Sequence, residues 1–138
     1  MSEIIVDDLT GKTSAGDITV TSEGGAATMQ LQQGLAKAWV NFDGTGTPAA
    51  RDSFNLASIT DNGAGDYTIT VSNAFNNANY ASTGMCGANG TTFGQARDVF
   101  FNVTAPTTTA FRINTKQSND GSNNDTPQVH TSSNGDLA

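Results

Sequence analysis

The residues with chemical potential are few and scattered. His130 is the only histidine, Cys86 the only cysteine and Trp39 the only tryptophan. A nucleophilic triad needs a histidine between a nucleophile and an acid. His130 lies in a polar segment, Pro127 to Ser132, with no G-x-S-x-G nearby, and reads as a surface or interface residue. Cys86, between Met85 and Gly87, has no neighbouring Lys, Arg or His in the sequence to favour its thiolate, so it reads as a small buried hydrophobe. Asp61-Asn62-Gly63 with Asp66 has the look of a calcium loop, but it lacks the D-x-D-x-D-G pattern and the Glu at the twelfth position. Asp and Asn building a hairpin turn accounts for every residue there. The loop from Asn119 to Asp125 could hold a cation or form a flexible solvated tip.

A glycosidase needs two carboxylates aimed at one bond. The two Glu, Glu3 and Glu23, both fall near the N-terminus, and the Asp residues lie mostly in turns. Gly84, Gly87, Gly90 and Gly94 lack the Gly-Lys-Ser/Thr ending of a phosphate loop. Trp39 has three readings: core, subunit interface or a stacking platform for sugar. No catalytic residue, cofactor site or metal site is expected, and the chain is expected not to be an enzyme.

The composition says what must position these residues. Hydrophobic residues make up 36% of the 138-residue chain and charged residues 14%. Soluble domains carry roughly 45–50% and about 25%. Thr, Asn, Ser and Gly fill the difference, and they are poor helix formers. With aromatics set in alternating segments, polar β-structure with many turns is the expectation. A net charge of −7 disfavours nucleic acid and anionic membranes. One cysteine precludes an internal disulfide. The N-terminal MSEIIVDDLTGK lacks the basic and apolar regions of a signal peptide, and no apolar run approaches the ~20 residues of a membrane span.

Residues 1–34 read as an N-terminal arm or attachment segment. It has short alternating pieces at Ile4 to Val6 and Asp17 to Thr21, and a short helix over Ala26 to Gln33 ended by Gly34. Residues 35–138 read as a β-domain of seven or eight strands. Its strands are expected at Leu35 to Phe42, Ser53 to Ile59, Tyr67 to Val71, Ala78 to Met85, Asp98 to Thr104, Ala110 to Lys116 and Pro127 to Ser132. In the first of these, Ala36, Ala38, Val40 and Phe42 share one face, and Lys37, Trp39 and Asn41 the other. Asn62-Gly63 should turn a hairpin between the second and third. Cys86 to Gln95 and Gln117 to Asp125 read as loops, and Asn134 to Ala138 as a trailing end. The expected core is Trp39, Phe42, Phe54, Leu56, Ile59, Tyr67, Ile69, Val71, Phe75, Tyr80, Phe100, Val103, Phe111 and Ile113. The fold class is all-β: an antiparallel sandwich or jelly roll with an extended arm. A core this thin favours burial against further copies, hence a homo-oligomer.

Three segments, LQQGLAKAWVNFDGTGTP, RDSFN and TDNGAGDYT, lie between Ile18 and Val71. This region resembles a segment of marine and cyanobacterial phage virion proteins of the tail-fibre type, and the GDLA ending (Gly135 to Ala138) resembles the ends of such chains. The resemblance implies an all-β fold, a homotrimer and a place on the phage particle after synthesis in the host cytoplasm. The function it implies is a fibre or appendage subunit on tail or head that contacts the host surface. A capsid decoration or cement protein and a carbohydrate-binding adhesin module are the alternatives. The expected partners are copies of itself, other virion proteins of tail, neck or capsid, and a host surface glycan, without nucleic acid or membrane insertion.

Overall fold

The computed structural model describes residues 4–12, 14, 18–87, 97–101, 104–118 and 120–138. The chain divides into two compact units, Met1–Leu35 and Ala36–Ala138. It is all β, and the pairings between its strands are antiparallel.

In the first unit, β1 (Thr19–Thr21) pairs with β2 (Thr28–Gln30), and a single helical turn, α1 (Leu31–Gly34), follows. Of the helix expected over Ala26 to Gln33, Leu31 to Gln33 are helical and Thr28 to Gln30 are strand. Thr28 to Gln30 gain more from pairing with β1 than from an isolated helical turn, which nucleates poorly. Ile4 to Val6 form no strand, and Asp17 lies outside the described residues.

The second unit holds β3 (Ala38–Asp43), β4 (Ala49–Phe54), β5 (Leu56–Gly63), β6 (Asp66–Val71), β7 (Ala81–Gly87), β8 (Arg97–Phe101), β9 (Ala110–Gln117) and β10 (Gln128–Asn134). They form two four-stranded sheets, ordered β4-β3-β10-β7 and β5-β6-β9-β8. Alternation along each strand selects the inward residues. Val40, Phe42 and Val129 from the first sheet meet Tyr67, Ile69, Phe111 and Ile113 from the second in one buried cluster. Phe42 and Tyr67 contact edge to face, with ring centroids 5.2 Å apart.

The segment expected as one strand, Ser53 to Ile59, is divided between the two sheets. Asn55 is the break. Its φ of 58° is left-handed, which Asn tolerates better than most residues. Its side chain satisfies three backbone groups there: it donates to Lys37 O at 2.9 Å and Asn73 O at 3.0 Å, and accepts from Asn73 N at 2.7 Å. The kink sends Phe54 outward, 51% exposed, and Leu56 against the core. The β5–β6 turn also differs from expectation. It falls at Ala64-Gly65, and Asn62 stays in the strand, with Nδ2 donating to Thr68 Oγ1 at 2.9 Å. Gly63 and Gly65 take the positive φ values.

Three further expectations are corrected. Lys37 is buried, at 5% exposure, although its alternation placed it on the outer face; it precedes β3, and its amide binds Ser133 O at 2.8 Å. The C-terminal residues do not trail away. Asp136 O accepts from Asn76 N, Ala138 N donates to Ala74 O, and Leu137 bridges Phe75. Gly135 makes this possible, because a Cβ there would come within 2.7 Å of Tyr80 Cβ. The tip after β9 is anchored, not loose. Thr115 Oγ1 donates to Asn124 O at 2.6 Å, and Asp125 Oδ1 accepts from Gly65 N at 2.6 Å. The Tyr67 hydroxyl lies 2.8 Å from both Asp125 Oδ1 and Gly44 O, and the carboxylate is the stronger acceptor for its one proton. Burial first, and the Asp125 carboxylate second, raise the Tyr67 phenol far above its ordinary value.

Candidate functional site

The inward residues of β3 are committed to the core, so whatever chemistry this sheet offers lies on its outer face. The register fixes that face as two rungs. Phe54, Trp39, Ser132 and Thr83 lie side by side across β4, β3, β10 and β7. Two residues along, Asp52, Asn41, His130 and Met85 form the next rung. Paired side chains on one face lie about 4.5–5.5 Å apart at Cβ, and the rungs are separated by about 6.6 Å. Trp39 and Phe54 therefore stand as an adjoining aromatic pair, 36% and 51% exposed.

Beside them, Asn41, Arg51, Gln128 and His130 line a surface depression of about 210 Å³. Arg51 reaches it through a break in register. Asp52 pairs with Asn41 and Ala50 with Phe42, which leaves Arg51 as the extra residue of a β-bulge. Asp43 holds its guanidinium, Nη2 to Oδ2 at 2.9 Å. That carboxylate also accepts from the Thr45 hydroxyl at 2.6 Å and the Thr45 amide at 2.9 Å. The Thr45 hydroxyl first, and Arg51 in addition, keep Asp43 ionised below its ordinary range. Asn41 Oδ1 is sealed from solvent and has no hydrogen-bond donor. A sealed acceptor without a donor costs about 1–3 kcal/mol.

No family model, curated protein or solved structure matches this chain.

The outer face of the other sheet is built differently. Thr60 pairs with Thr68 and Ser58 with Thr70, and Thr68 adjoins Arg112. Arg112 is closed by a two-pronged ion pair with Asp66, both contacts at 2.7 Å. This pair lowers the Asp66 carboxyl from its ordinary value, the Arg112 hydrogen bond being the largest cause.

The residues singled out from sequence fall as follows. Trp39 and His130 occupy adjacent rungs of one face, a proximity the sequence does not show. Cys86 is half-buried and packs against the core. Asp61 Oδ1 accepts from Gly63 N at 2.9 Å, as a turn residue does. Among the described residues, no three His, Cys, Asp or Glu come together as a metal would need. Glu23 is exposed. Glu3, Gly90, Gly94, Asn119 and Val103 lie outside the described residues, as does the Phe100 side chain. Trp39 and Phe54 were expected in the core and are outside it. Asn41, Arg51 and Gln128 were missed as a group. The pattern Trp39-x-Asn41 beside Asp52-x-Phe54 was the available signal, but only the β3–β4 register joins the two halves.

Proposed function

We propose that this chain is a non-enzymatic structural protein of a bacteriophage particle: a fibre or appendage subunit whose β-domain, a sandwich of the two sheets, faces outward toward the host. The observation that carries the reading is where the phage-like segments fall. LQQGLAKAWVNFDGTGTP, RDSFN and TDNGAGDYT supply β3 and parts of β4, β5 and β6, including Val40, Phe42 and Tyr67 of the core and the Asn55 crossing between sheets. The GDLA ending is the segment that docks on Phe75 and Tyr80. The resemblance thus follows the framework of the fold rather than stray surface residues.

The N-terminal unit fits an attachment arm in this reading. Ile4, Ile5, Val6, Leu9, Val20 and Met29 are all exposed, a run of apolar surface that association would cover. Attachment through copies of itself, as a trimer, or through another virion protein makes the projecting domains multivalent, so weak contacts at each add up. Immunogold labelling of purified phage particles with antibody to this chain tests the proposal. Labelled tails, necks or head fibres are expected. Particles free of the chain, while infected cells contain it, overturn the reading.

A further inference from the structure

We propose that the outer face of the β4-β3-β10-β7 sheet binds a neutral saccharide, stacked on Trp39 and Phe54 and hydrogen-bonded in the depression formed by Asn41, Arg51, Gln128 and His130.

The face has the two halves that a sugar requires. One side of a pyranose ring is a patch of C–H groups, and exposed aromatic rings offer a flat apolar partner for it. Trp39 and Phe54 are direct cross-strand neighbours on that face, and both are exposed. The rim of the same ring carries hydroxyls, each a donor and an acceptor at once. Asn and Gln amides, an imidazole and a guanidinium present both kinds of partner within one small volume. The rung spacing of about 6.6 Å sets stacking platform and depression side by side, within the span of two linked sugar units.

Charge selects among sugars. The Arg51 guanidinium is already neutralised by Asp43, Asp52 stands on the same rung as Asn41, and the chain carries a net −7. An acidic sugar would enter a field of its own sign. A neutral glycan meets no such barrier. Bulk hydrophobic contact with a second copy of the chain is the competing occupant. The polar lining of the depression argues for a hydroxyl-rich ligand instead.

The inference rests on the appendage reading for the source of the sugar, a host surface, but not for the binding itself. The test uses the full purified chain on an array of neutral and acidic oligosaccharides, followed by titration of the best neutral ligand. Trp39 is the only tryptophan, so its own fluorescence reports stacking in the unaltered protein. The expected result is retention of neutral glycans, a shift in Trp39 emission and protection of Trp39 from a soluble quencher. Trp39→Ala and Asn41→Ala should each weaken binding roughly tenfold or more. Arg112→Ala, on the other sheet, should bind as the parent does. The inference fails if no neutral glycan is retained, if acidic glycans bind in preference, or if Trp39 emission is indifferent to bound sugar. It also fails if Trp39→Ala leaves binding intact, or if that change dissolves an oligomer of a chain that binds no sugar. Particles that carry the chain while it retains no sugar would sink this inference alone. Sugar binding by a chain absent from particles would sink the appendage reading alone.

Discussion

The two sheets share one core and present unlike outer surfaces. On β5-β6-β9-β8 the outward residues include Ser58, Thr60, Thr68 and Thr70 and a closed Asp66–Arg112 pair, whose charges satisfy each other. On β4-β3-β10-β7 they include the exposed Trp39 and Phe54 and a polar depression lined by Asn41, Arg51, Gln128 and His130. A surface that satisfies its own groups has little left for a partner. One that leaves rings and polar side chains exposed keeps groups available for binding. The contrast separates residues that maintain the fold from residues available for recognition, although both stand on strands of the same kind.

The core beneath both faces gives the largest expected effect. Phe42→Ala removes a fully buried ring that touches Tyr67 across the sheets and should cost about 3–5 kcal/mol in chemical denaturation. Both outer faces should be lost in one transition. Separate transitions for the two sheets would break the comparison at its base.

Gly65→Ala comes next. Gly65 has a φ of +59°, and a Cβ there would meet Asn124 N and Thr115 O at 2.5 Å. A loss of about 2 kcal/mol or more is expected from combined backbone strain and overpacking, read in the same unfolding experiment. A neutral outcome would mean that the tip after β9 is not anchored as described.

The tyrosines supply a titration test. Burial pushes the Tyr80 phenol up to about 12, and Tyr67 is raised as well. An acid whose folded value is raised adds stability that is complete below its unfolded value of about 10 and is lost as pH rises through the folded one. Phenolate absorbance should therefore stay absent near pH 10 in the folded protein and appear together with unfolding above it. Ordinary titration of either tyrosine near 10 would contradict its buried placement.

The smallest effect concerns the self-satisfied face. Arg112→Ala should cost about 1 kcal/mol or less, since the pair is partly exposed and solvent screens it. Asp66 is lowered, so the contribution of this pair is present above the unfolded carboxyl value of about 4 and fades as pH falls through the folded one. Acid unfolding curves of parent and variant should differ near neutrality and converge below pH 4 or so. A constant gap at all pH values would show that the lost side chain acted by packing instead.

The parts of this fold that were legible in sequence are those where alternation is unbroken. Tyr67, Ile69 and Val71, and Ala38, Val40 and Phe42, read inward and are inward. The reading failed where one residue changes the rule. Asn55 in the left-handed region turns one apparent strand into two that belong to different sheets, and takes Phe54 out of the core. The core also includes polar residues that hydrophobicity cannot flag: Thr115, Thr126 and Ser133 are fully buried, with Thr115 Oγ1 bonded to Asn124 O and Ser133 Oγ 2.6 Å from Ser82 Oγ. The candidate site was half legible. Trp39 and His130 stand out as solitary residues, but their neighbourhood depends on long-range strand order. No local pattern encodes that β10, from the far end of the chain, lies beside β3.

One pair of readings on a single variant decides whether the outer face of β4-β3-β10-β7 recognises rather than supports. Trp39→Ala should be followed by thermal unfolding and by titration with the neutral oligosaccharide that the parent binds. The account predicts a loss of stability of about 1 kcal/mol or less, a midpoint shift of a few degrees, with sugar binding abolished. A collapse in stability on the scale of Phe42→Ala, or binding that survives without the indole ring, would contradict it.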